Sequence, residues 1–476
     1  MSDKSTGRAK NWQIALFALN GISSNTALFM IGYYMYFSQN ILGLSAVVLG
    51  FIATAMRICD GLIDPTIGVL IDKTNTKFGK FRPHMIIGCV VTALSVAAIF
   101  YCPPSLGELG CYIFTTVFYL IYIVGYSFQT TCTRAAQAVL TKDPKQRPLF
   151  AVFNSGFNAV LGALLPLILM TWMAPNYEGK LQNPQLWKDM SLVVMVMMGI
   201  FSALACIGIA GRDKPEFYLS GGKVEKVGFK DMFSVIKGNR ALQMLIVAAS
   251  TDKLALQLMG GVTVYVFSNC ILNQSLQGTF SSLKMWPVLI VSMGGIFLAR
   301  KFGLKKPFVV GTWGSMLCLV AMFVMGAKPD NYIPFLIIFI LQSCMVGITN
   351  NILNPMIADC ADYEHYRSGK FIPGIVGTVF TLVDQVISAF SSTIVGFALA
   401  FAGVAKGKIP TETFISDKFY WTIMFCFCIV PIIGHIASIV AMKFYPLTTE
   451  KMVEIQAELV SRKEKALADT AQSTAK

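Results

Sequence analysis

Three charged side chains recur at helical spacing inside an apolar stretch of the sequence. Arg57, Asp60 and Asp64 are separated by three, four and seven residues, which places them on one stripe of an α-helix. Their surroundings, residues 47–71, are apolar over most of the length that crosses a bilayer. A carboxylate at that depth costs about 2.5 to 3.5 kcal/mol on insertion scales, so two of them need a shared counter-charge. The stripe therefore predicts a membrane-embedded site for a cation or a proton.

Repulsion between the two acids supports the same interpretation. Like charges one helical turn apart repel, and a cation between them or a shared proton lowers the energy of the pair. The alternative is a fixed ion pair between Arg57 and Asp60 that only holds helices together. Because ionisable groups inside membrane helices mark ion paths by default, we favour the coupling-ion site.

Composition places the chain in a membrane. Of its 476 residues, 55% are hydrophobic and only 13% are charged, with a mean hydropathy of +0.62. Soluble domains carry about a quarter charged residues. The apolar runs, cut at their charged or Gly/Pro-rich breaks, have lengths that suit a bilayer core of about 30 Å. We predict an all-α integral membrane protein with twelve spans near 13–37, 47–71, 84–102, 111–133, 150–173, 190–210, 240–267, 279–299, 308–327, 332–356, 372–402 and 419–442.

A faint internal repeat divides the spans into two halves. The sequence KFGKFRP at 77–83, after the second span, is echoed by KFGLKKP at 301–307, after the eighth. A weaker echo relates 134–147 to 354–367. Parallel halves with a binding site between them are typical of transporters that rock between two states. We predict an N-terminal six-helix half at 1–211, a cytoplasmic linker at 212–239, a C-terminal six-helix half at 240–446 and a cytoplasmic tail at 447–476.

The positions of Lys and Arg predict the orientation. Most of the 39 Lys and Arg residues fall in one alternating set of loops together with both termini. By the positive-inside rule both termini are cytoplasmic, in a multi-pass protein of the cell membrane. A polar start leads directly into a first span of full length, so we expect that span to act as an uncleaved signal. The net charge of +14 is then a topology signal, and we expect no nucleic-acid partner.

Cysteine and histidine are not arranged for metal binding or catalysis. Nearly all of the 12 cysteines lie inside apolar spans, and no C-x-x-C motif occurs. The chain has only 3 histidines, and no nucleophile is paired with a base in the sequence. We therefore predict no enzyme, no metal site and no cofactor apart from the coupling ion.

Polar and aromatic residues on other spans are candidates for lining a cavity. The fourth span carries tyrosines and then a run that is too polar to face lipid, ending at Arg134. Arg134 is either a substrate ligand or a gate residue near the inner end of that helix. In the second half, Asp252 and Lys253 are adjacent and hence about 100° apart on a helix, so they do not pair with each other. Lys253 then either snorkels or meets an acid from the other half.

Three motifs together resemble a known family. The sequences RICDGLIDPTIG at 57–68, KFGKFRP at 77–83 and DCADYEHYRSG at 359–369 are similar to those of the glycoside-pentoside-hexuronide:cation symporters. This is the melibiose permease group of the major facilitator superfamily. The resemblance in layout extends over roughly residues 12–446. It implies the major facilitator fold.

The resemblance also implies roles for individual residues. The two acids of the second helix, Asp60 and Asp64, would bind the coupling Na⁺, Li⁺ or H⁺ with help from the hydroxyl of Ser127. A sugar would bind nearby, between the halves, and Tyr126 matches the family there. We assign a gating and charge network to Arg57, Lys80, Arg82, Arg147, Asp359 and Arg367.

Several positions depart from the family pattern. Ile63 replaces an asparagine and so removes an amide oxygen from the cation site. The remaining exchanges are Ser24 and Thr130 for two sugar-binding acids, Arg134 for a tryptophan, Asn154 for an arginine and Gln385 for a lysine. Together with Tyr126 and Asn350, these five positions are our candidate substrate ligands. The galactoside pocket of the family is therefore not carried over.

We expect a monomeric symporter of a sugar, glycoside or hexuronide. The loss of oxygen ligands at Ile63 and Thr130 favours H⁺ over Na⁺ as the coupling ion. The guanidinium of Arg134 on the fourth span favours an acidic sugar as the cargo. The alternative for Arg134 is a position below the pocket, paired with Asp143 or another loop acid. The rival function is cation-coupled transport of a non-sugar cargo, such as a lysolipid or an organic anion.

The orientation is directly testable. Cysteines placed between Lys77 and Arg82 should react with an impermeant thiol reagent only in inside-out vesicles, because this basic turn is expected to face the cytoplasm and brace the inner gate. Modified peptides are quantified by mass spectrometry. A cysteine at Lys328, in a loop of the opposite set, serves as the control and should react only in right-side-out vesicles. Labelling of the basic turn from outside would overturn the topology.

Overall fold

The computed structural model describes residues 9–74, 76–141, 146–214, 236–369 and 373–474. Side chains are described for all of these except residues 65, 72, 138, 147, 148, 300, 373, 374 and 463–474. Over this part of the chain, twelve helices are long and apolar enough to cross a membrane. They are α1 Asn11–Asn40, α2 Ala46–Ile71, α3 Arg82–Phe100, α4 Pro104–Ala135, α5 Leu149–Asn176, α6 Pro184–Ile209, α7 Arg240–Cys270, α8 Ser275–Ala299, α9 Lys305–Met325, α10 Pro329–Ser368, α11 Ile375–Phe401 and α12 Asp417–Phe444. A further helix, α13, spans Thr449–Thr474.

The predicted all-α architecture and its twelve spans are confirmed, with one large change of boundary. The tenth span was expected to end near residue 356, but α10 continues to Ser368. The polar extension remains helical because Glu364 and Arg367 form an i,i+3 ion pair at 2.8 Å, and Gly369 ends the helix at φ +72°. The DCADYEHYR motif therefore lies on a helix that projects beyond the apolar part of the span.

The internal repeat is visible in the backbone. Gly79, after α2, has φ +102°, and Gly303, after α8, has φ +79°. A side chain at Gly79 would collide with the carboxylate of Asp213, and one at Gly303 would collide with the hydroxyl of Thr449. The repeated motif thus forms a positive-φ turn at the same place in each half. The exact division between the halves stays a prediction, because residues 215–235 of the expected linker lie outside the described residues.

Two helix pairs join the halves. α2 packs along α11, and α5 packs along α8. The first pair touches backbone to backbone: a Cβ atom at Gly50 would lie 2.7 Å from the carbonyl oxygen of Ser392, and one at Gly396 would lie 2.5 Å from that of Ala46. Such distances leave no room for a side chain, so glycine sets the approach of the two helices.

Hydrogen bonds between loops close the same side of the molecule. Gln39 donates to the carbonyl of Val404 at 2.7 Å, and the side chain of Asn40 accepts from the backbone of Ile409 at 2.7 Å. Lys180 forms an ion pair with Glu412. These contacts lie where α1 ends and α6 begins, which is the side opposite the chain termini. The structure is therefore sealed on that side.

Crowding at the α2–α11 crossing gives a test of this closure. Gly50→Ala should destabilise the sealed state by about 1 to 3 kcal/mol, because overpacking displaces backbone that cannot yield. A shift of that size changes the ratio of the two states about 5- to 150-fold. We expect a cavity cysteine introduced at Val395 to become reactive toward an impermeant maleimide from the sealed side. Gly199→Ala, on α6 with open space around it, is the matched control. Equal labelling of both variants would contradict the assignment.

Candidate functional site

A cavity of about 490 Å³ lies between the halves, a size typical of small-molecule sites. Helices α1, α2, α4, α7, α8 and α11 line it. Of the residues predicted from sequence, Arg57, Asp60, Tyr126 and Gln385 belong to the lining. Two further tyrosines of α4, Tyr119 and Tyr122, lie beside Tyr126 and continue its row of rings. The cavity therefore combines charge at membrane depth with an aromatic wall.

The structure brings together the three predicted cation ligands. Ser127 donates to Asp60 at 3.3 Å, across the contact between α4 and α2. Asp64 lies one turn further along α2 and accepts from the guanidinium of Arg134 at 2.7 Å. The neighbouring Ile63 packs in an apolar cluster. Asp60 thus keeps a hydroxyl partner, whereas Asp64 is neutralised by a cation from α4.

Arg57 does not form the ion pair that we considered as the alternative. Its guanidinium donates to the amide oxygen of Gln257 on α7 at 3.1 Å, so it bridges the two halves. Among the described residues, no carboxylate lies within ion-pair distance of Arg57. The second-helix stripe is therefore not a self-contained salt bridge.

Arg134 was predicted to be either a substrate ligand or a gate residue near the inner end of α4. The loop acid considered as its partner, Asp143, lies outside the described residues. Arg134 lies outside the cavity lining, and its guanidinium pairs with the carboxylate of Asp64 at 2.7 Å. Their side chains are 59% and 21% exposed. A gate position fits better than a ligand position.

Other predicted substrate ligands also lie outside the cavity lining. Ser24 is 1% exposed and donates to the carbonyl of Gly21 in its own helix, so it does not face the cavity in this structure. The hydroxyl of Thr130 points along α4 to the carbonyl of Ser127 at 3.4 Å. Asn154 on α5 and Asn350 on α10 face elsewhere in this conformation. The hydroxyl of a Ser or Thr side chain can donate to a backbone carbonyl of its own helix, so it need not face a cavity.

Within the predicted charge network, Arg57 makes the described contact that joins the halves, whereas the described contacts of Lys80, Arg82 and Arg367 stay within one half. The carboxylate of Asp213 accepts the backbone N–H groups of Lys80 and Arg82, each at 2.9 Å, and lies 3.5 Å from the Arg82 guanidinium. Arg367 pairs with Glu364 on α10. Asp359 also lies on α10, and the side chain of Arg147 is outside the described set. Lys80, Arg82 and Arg367 thus contact groups of their own half.

Sequence reasoning missed a buried ion pair on the second half. Lys253 of α7 lies 2.5 Å from Asp384 of α11, and Lys253 also lines the cavity. The sequence left two alternatives for Lys253, snorkelling or an acid from the other half, and its partner is instead an acid of the neighbouring α11 in the same half. Asp384 directly precedes the predicted Gln385 in the sequence. Its pairing with Lys253 depends on the rotation of α7 and α11 about their axes, which the sequence does not report.

The adjacent Asp252 faces a separate buried network. Its carboxylate lies 2.7 Å from the Nδ1 of His435 and accepts from Ser438 at 3.1 Å and from Thr312 at 3.4 Å. The other ring nitrogen of His435 lies 2.9 Å from the hydroxyl of Ser315. The network ties α7, α9 and α12 together. His435 is a buried core residue.

Two packed halves around a charged central cavity define a secondary transporter of the major facilitator type. Residues 20–449 match the family model described as MFS/sugar transport protein, and the chain belongs to this family. Its members are transporters and not enzymes.

Individual relatives agree with the family. The chain is 22% identical over 436 residues to the putative glycoside/cation symporter YagG of Escherichia coli, covering 90% of each chain. It is 26% identical over 448 residues to a putative 2,3-dihydroxypropane-1-sulfonate exporter of the same species, covering 91% of this chain and 92% of that one. The fold is similar to an inward-facing crystal structure of a bacterial homologue of the lysosomal transporter Spinster, with TM-score 0.62, 13% identity and coverage of 93% and 97%.

The Asp252 network predicts a stability effect. His435→Ala should destabilise the protein by about 1 to 3 kcal/mol, since it leaves a buried carboxylate short of a partner. Thermal unfolding in detergent measures the change. The double variant Asp252→Asn, His435→Gln restores a neutral hydrogen-bonding pair and should recover part of the loss. An unchanged melting temperature for His435→Ala would show that the network carries no stability.

Proposed function

We propose that the chain is a symporter that couples the entry of a sugar, glycoside or hexuronide across the cell membrane to a cation gradient, by alternating access. The main support for this proposal is the position of Asp60, which lines the central cavity within hydrogen-bond distance of Ser127 and one helical turn from Asp64. An ionised carboxylate at membrane depth is destabilising, and such residues mark ion or substrate pathways. A relative named as a glycoside/cation symporter supports both the cargo and the coupling.

The tyrosines support a sugar as the cargo. Tyr119, Tyr122 and Tyr126 present neighbouring rings with polar tips on one wall of the cavity. Flat rings pack against the apolar face of a pyranose, and the hydroxyls reach its polar edge. Gln257 and Gln385 on the facing half offer amides for further hydroxyl groups.

Three features favour a proton as the coupling ion. Arg134 occupies one oxygen of Asp64, Ile63 contributes no oxygen, and Thr130 stands where the resemblance places a third acid. A hard cation such as Na⁺ needs several oxygen ligands. A proton needs one carboxylate oxygen, and Asp60 with Ser127 supplies that site.

Arg134 then has a role in the cycle. In the state that is open toward the termini, its guanidinium binds Asp64 and takes the place of a cation. Release of the coupling ion and formation of this pair are therefore favoured together. Both termini are cytoplasmic in this proposal, so the structure is the inward-open state, from which cargo and ion are delivered.

The second candidate is cation-coupled transport of an organic anion. One observation favours it: a relative of 26% identity carries the name of a sulfonate exporter. A lysolipid cargo has less support, since the cavity carries Arg57, Asp60 and Lys253 along with its apolar residues.

Uptake into proteoliposomes tests the function. A panel of labelled glycosides, pentosides and hexuronides is offered while a pH gradient and a Na⁺ gradient are imposed separately. We expect accumulation of at least one sugar driven by the pH gradient at constant Na⁺. Accumulation that follows Na⁺ at constant pH would replace the ion assignment, and failure of every sugar under both gradients would refute sugar symport.

Coupling should depend on the two acids. Asp60→Asn and Asp64→Asn each remove a negative charge from the ion site, so gradient-driven accumulation should fall to simple equilibration while exchange of labelled for unlabelled cargo persists. Asp330→Asn, at an exposed position before the apolar part of α10, is the matched control and should accumulate cargo normally. Full accumulation by Asp64→Asn would exclude a coupling role for that residue.

A further inference from the structure

Two cationic side chains face the central cavity from opposite halves. Arg57 projects from α2 and Lys253 from α7, and both belong to the cavity lining. Gln257 follows Lys253 by one helical turn and accepts the hydrogen bond from Arg57. The guanidinium and the ammonium are thereby held on the same stretch of the interface between the halves.

The two cations differ in how their charge is balanced. Lys253 is 37% exposed and keeps Asp384, which is 7% exposed, as its counter-ion on α11. Arg57 has an amide as its hydrogen-bond partner, and the lining carboxylate on its own helix is Asp60, three residues away. A cation at membrane depth without a paired anion is costly. The cavity thus contains a positive group that a negative ligand would stabilise.

We propose that the cavity binds the acid group of its substrate, a carboxylate or a sulfonate, between Arg57 and Lys253, while the α4 tyrosines hold the polyhydroxylated remainder. This inference rests on the proposed function and narrows its cargo to acidic sugars and related hydroxy acids. The planar guanidinium of Arg57 matches either acid group with two parallel hydrogen bonds. Lys253 adds a point charge from the other half, so the ligand joins the halves.

Charge balance links the acid group to the coupling ion. When Asp60 takes up a proton, the negative charge nearest in sequence to Arg57 is lost. Because Asp64 is paired with Arg134 and Lys253 with Asp384, the charge of Arg57 is then left unbalanced. An anionic substrate then restores neutrality. The proton therefore increases the affinity for the acid, and the acid increases the affinity for the proton by the same factor.

The competing explanation is that Lys253 and Asp384 only hold α7 against α11. This explanation predicts that Lys253→Gln and Asp384→Asn have equal effects, since each breaks the same pair. Our proposal predicts that only Lys253→Gln lowers the preference for the acid. Lys253→Gln removes the ligand for the acid group, whereas Asp384→Asn releases Lys253 from its competitor.

The experiment measures initial uptake of glucuronate, glucose and 2,3-dihydroxypropane-1-sulfonate by the full chain in proteoliposomes under a pH gradient. Glucuronate and glucose share a ring and differ at one carboxylate, so their ratio reports recognition of the acid. The sulfonate distinguishes the two kinds of acid group. Lys284→Gln is the matched control, a membrane-depth lysine of α8 that lies over the ring of Phe339 and outside the cavity lining.

We expect at least one of the two acids to be taken up about tenfold faster than glucose, and Lys253→Gln and Arg57→Gln each to lower that preference about tenfold, which is about 1.4 kcal/mol. Asp384→Asn and Lys284→Gln should keep the preference. The double variant Lys253→Gln, Asp384→Asn leaves no unpaired buried charge, so its loss of preference would arise from recognition and not from misfolding.

Equal losses in Lys253→Gln and Asp384→Asn would overturn the inference. Gradient-driven uptake of glucose with neither acid transported would also overturn it while leaving sugar symport intact. Uptake of the sulfonate alone would support the acid site and refute a sugar as the cargo. No uptake of any of the three probes would overturn the acid site, whereas the proposed symport is refuted only by failure of the wider sugar panel under both gradients.

Discussion

The cost of charge at membrane depth governs this structure. An ionised side chain in hydrocarbon needs a partner, and the partners here come from other helices. Asp64 pairs with Arg134 of α4, and Lys253 pairs with Asp384 of α11. Arg57 donates to the amide oxygen of Gln257 in the opposite half. Each pairing fixes the rotation of two helices at once, so the charged groups position the walls of the cavity.

The two sides of the molecule are built from different interactions. The sealed side uses backbone contact at Gly50 and Gly396 and hydrogen bonds between loops. On the open side, Arg134 and Asp64 form an exposed ion pair within one half. Close backbone contact is a short-range interaction that is lost after a small displacement, whereas charge pairs can exchange partners. A carrier that alternates between two states can use both properties.

The sequence predicted the architecture and the shared helix face of Asp60 and Asp64 because both depend on local pattern. Twelve apolar runs identified the spans, and helical spacing placed Asp60 and Asp64 on one stripe. The resemblance then supplied Ser127, which the structure places against Asp60. The roles of positions that depart from the family pattern, such as Ser24, were harder to predict. A hydroxyl can donate to a carbonyl of its own helix as readily as it can face a ligand.

Pairings between distant spans could not be predicted. The partners Arg134 with Asp64 and Lys253 with Asp384 are separated by 70 and 131 residues. Their contact depends on the tilt and rotation of whole helices, which no local spacing reports. The helical extension of α10 was missed for a related reason: hydropathy marks where a span leaves the bilayer, and a helix can continue past that point.

The repeated glycine turn has a consequence for how the protein is assembled. The turn after α2 holds Asp213, which follows α6, and the turn after α8 holds Thr449, which follows α12. In each six-helix unit, a residue that follows the last helix therefore packs against the turn that follows the second helix of the same unit. Such units suit descent from a single duplicated gene, in which each copy already carried the means to complete its own fold before the two were joined.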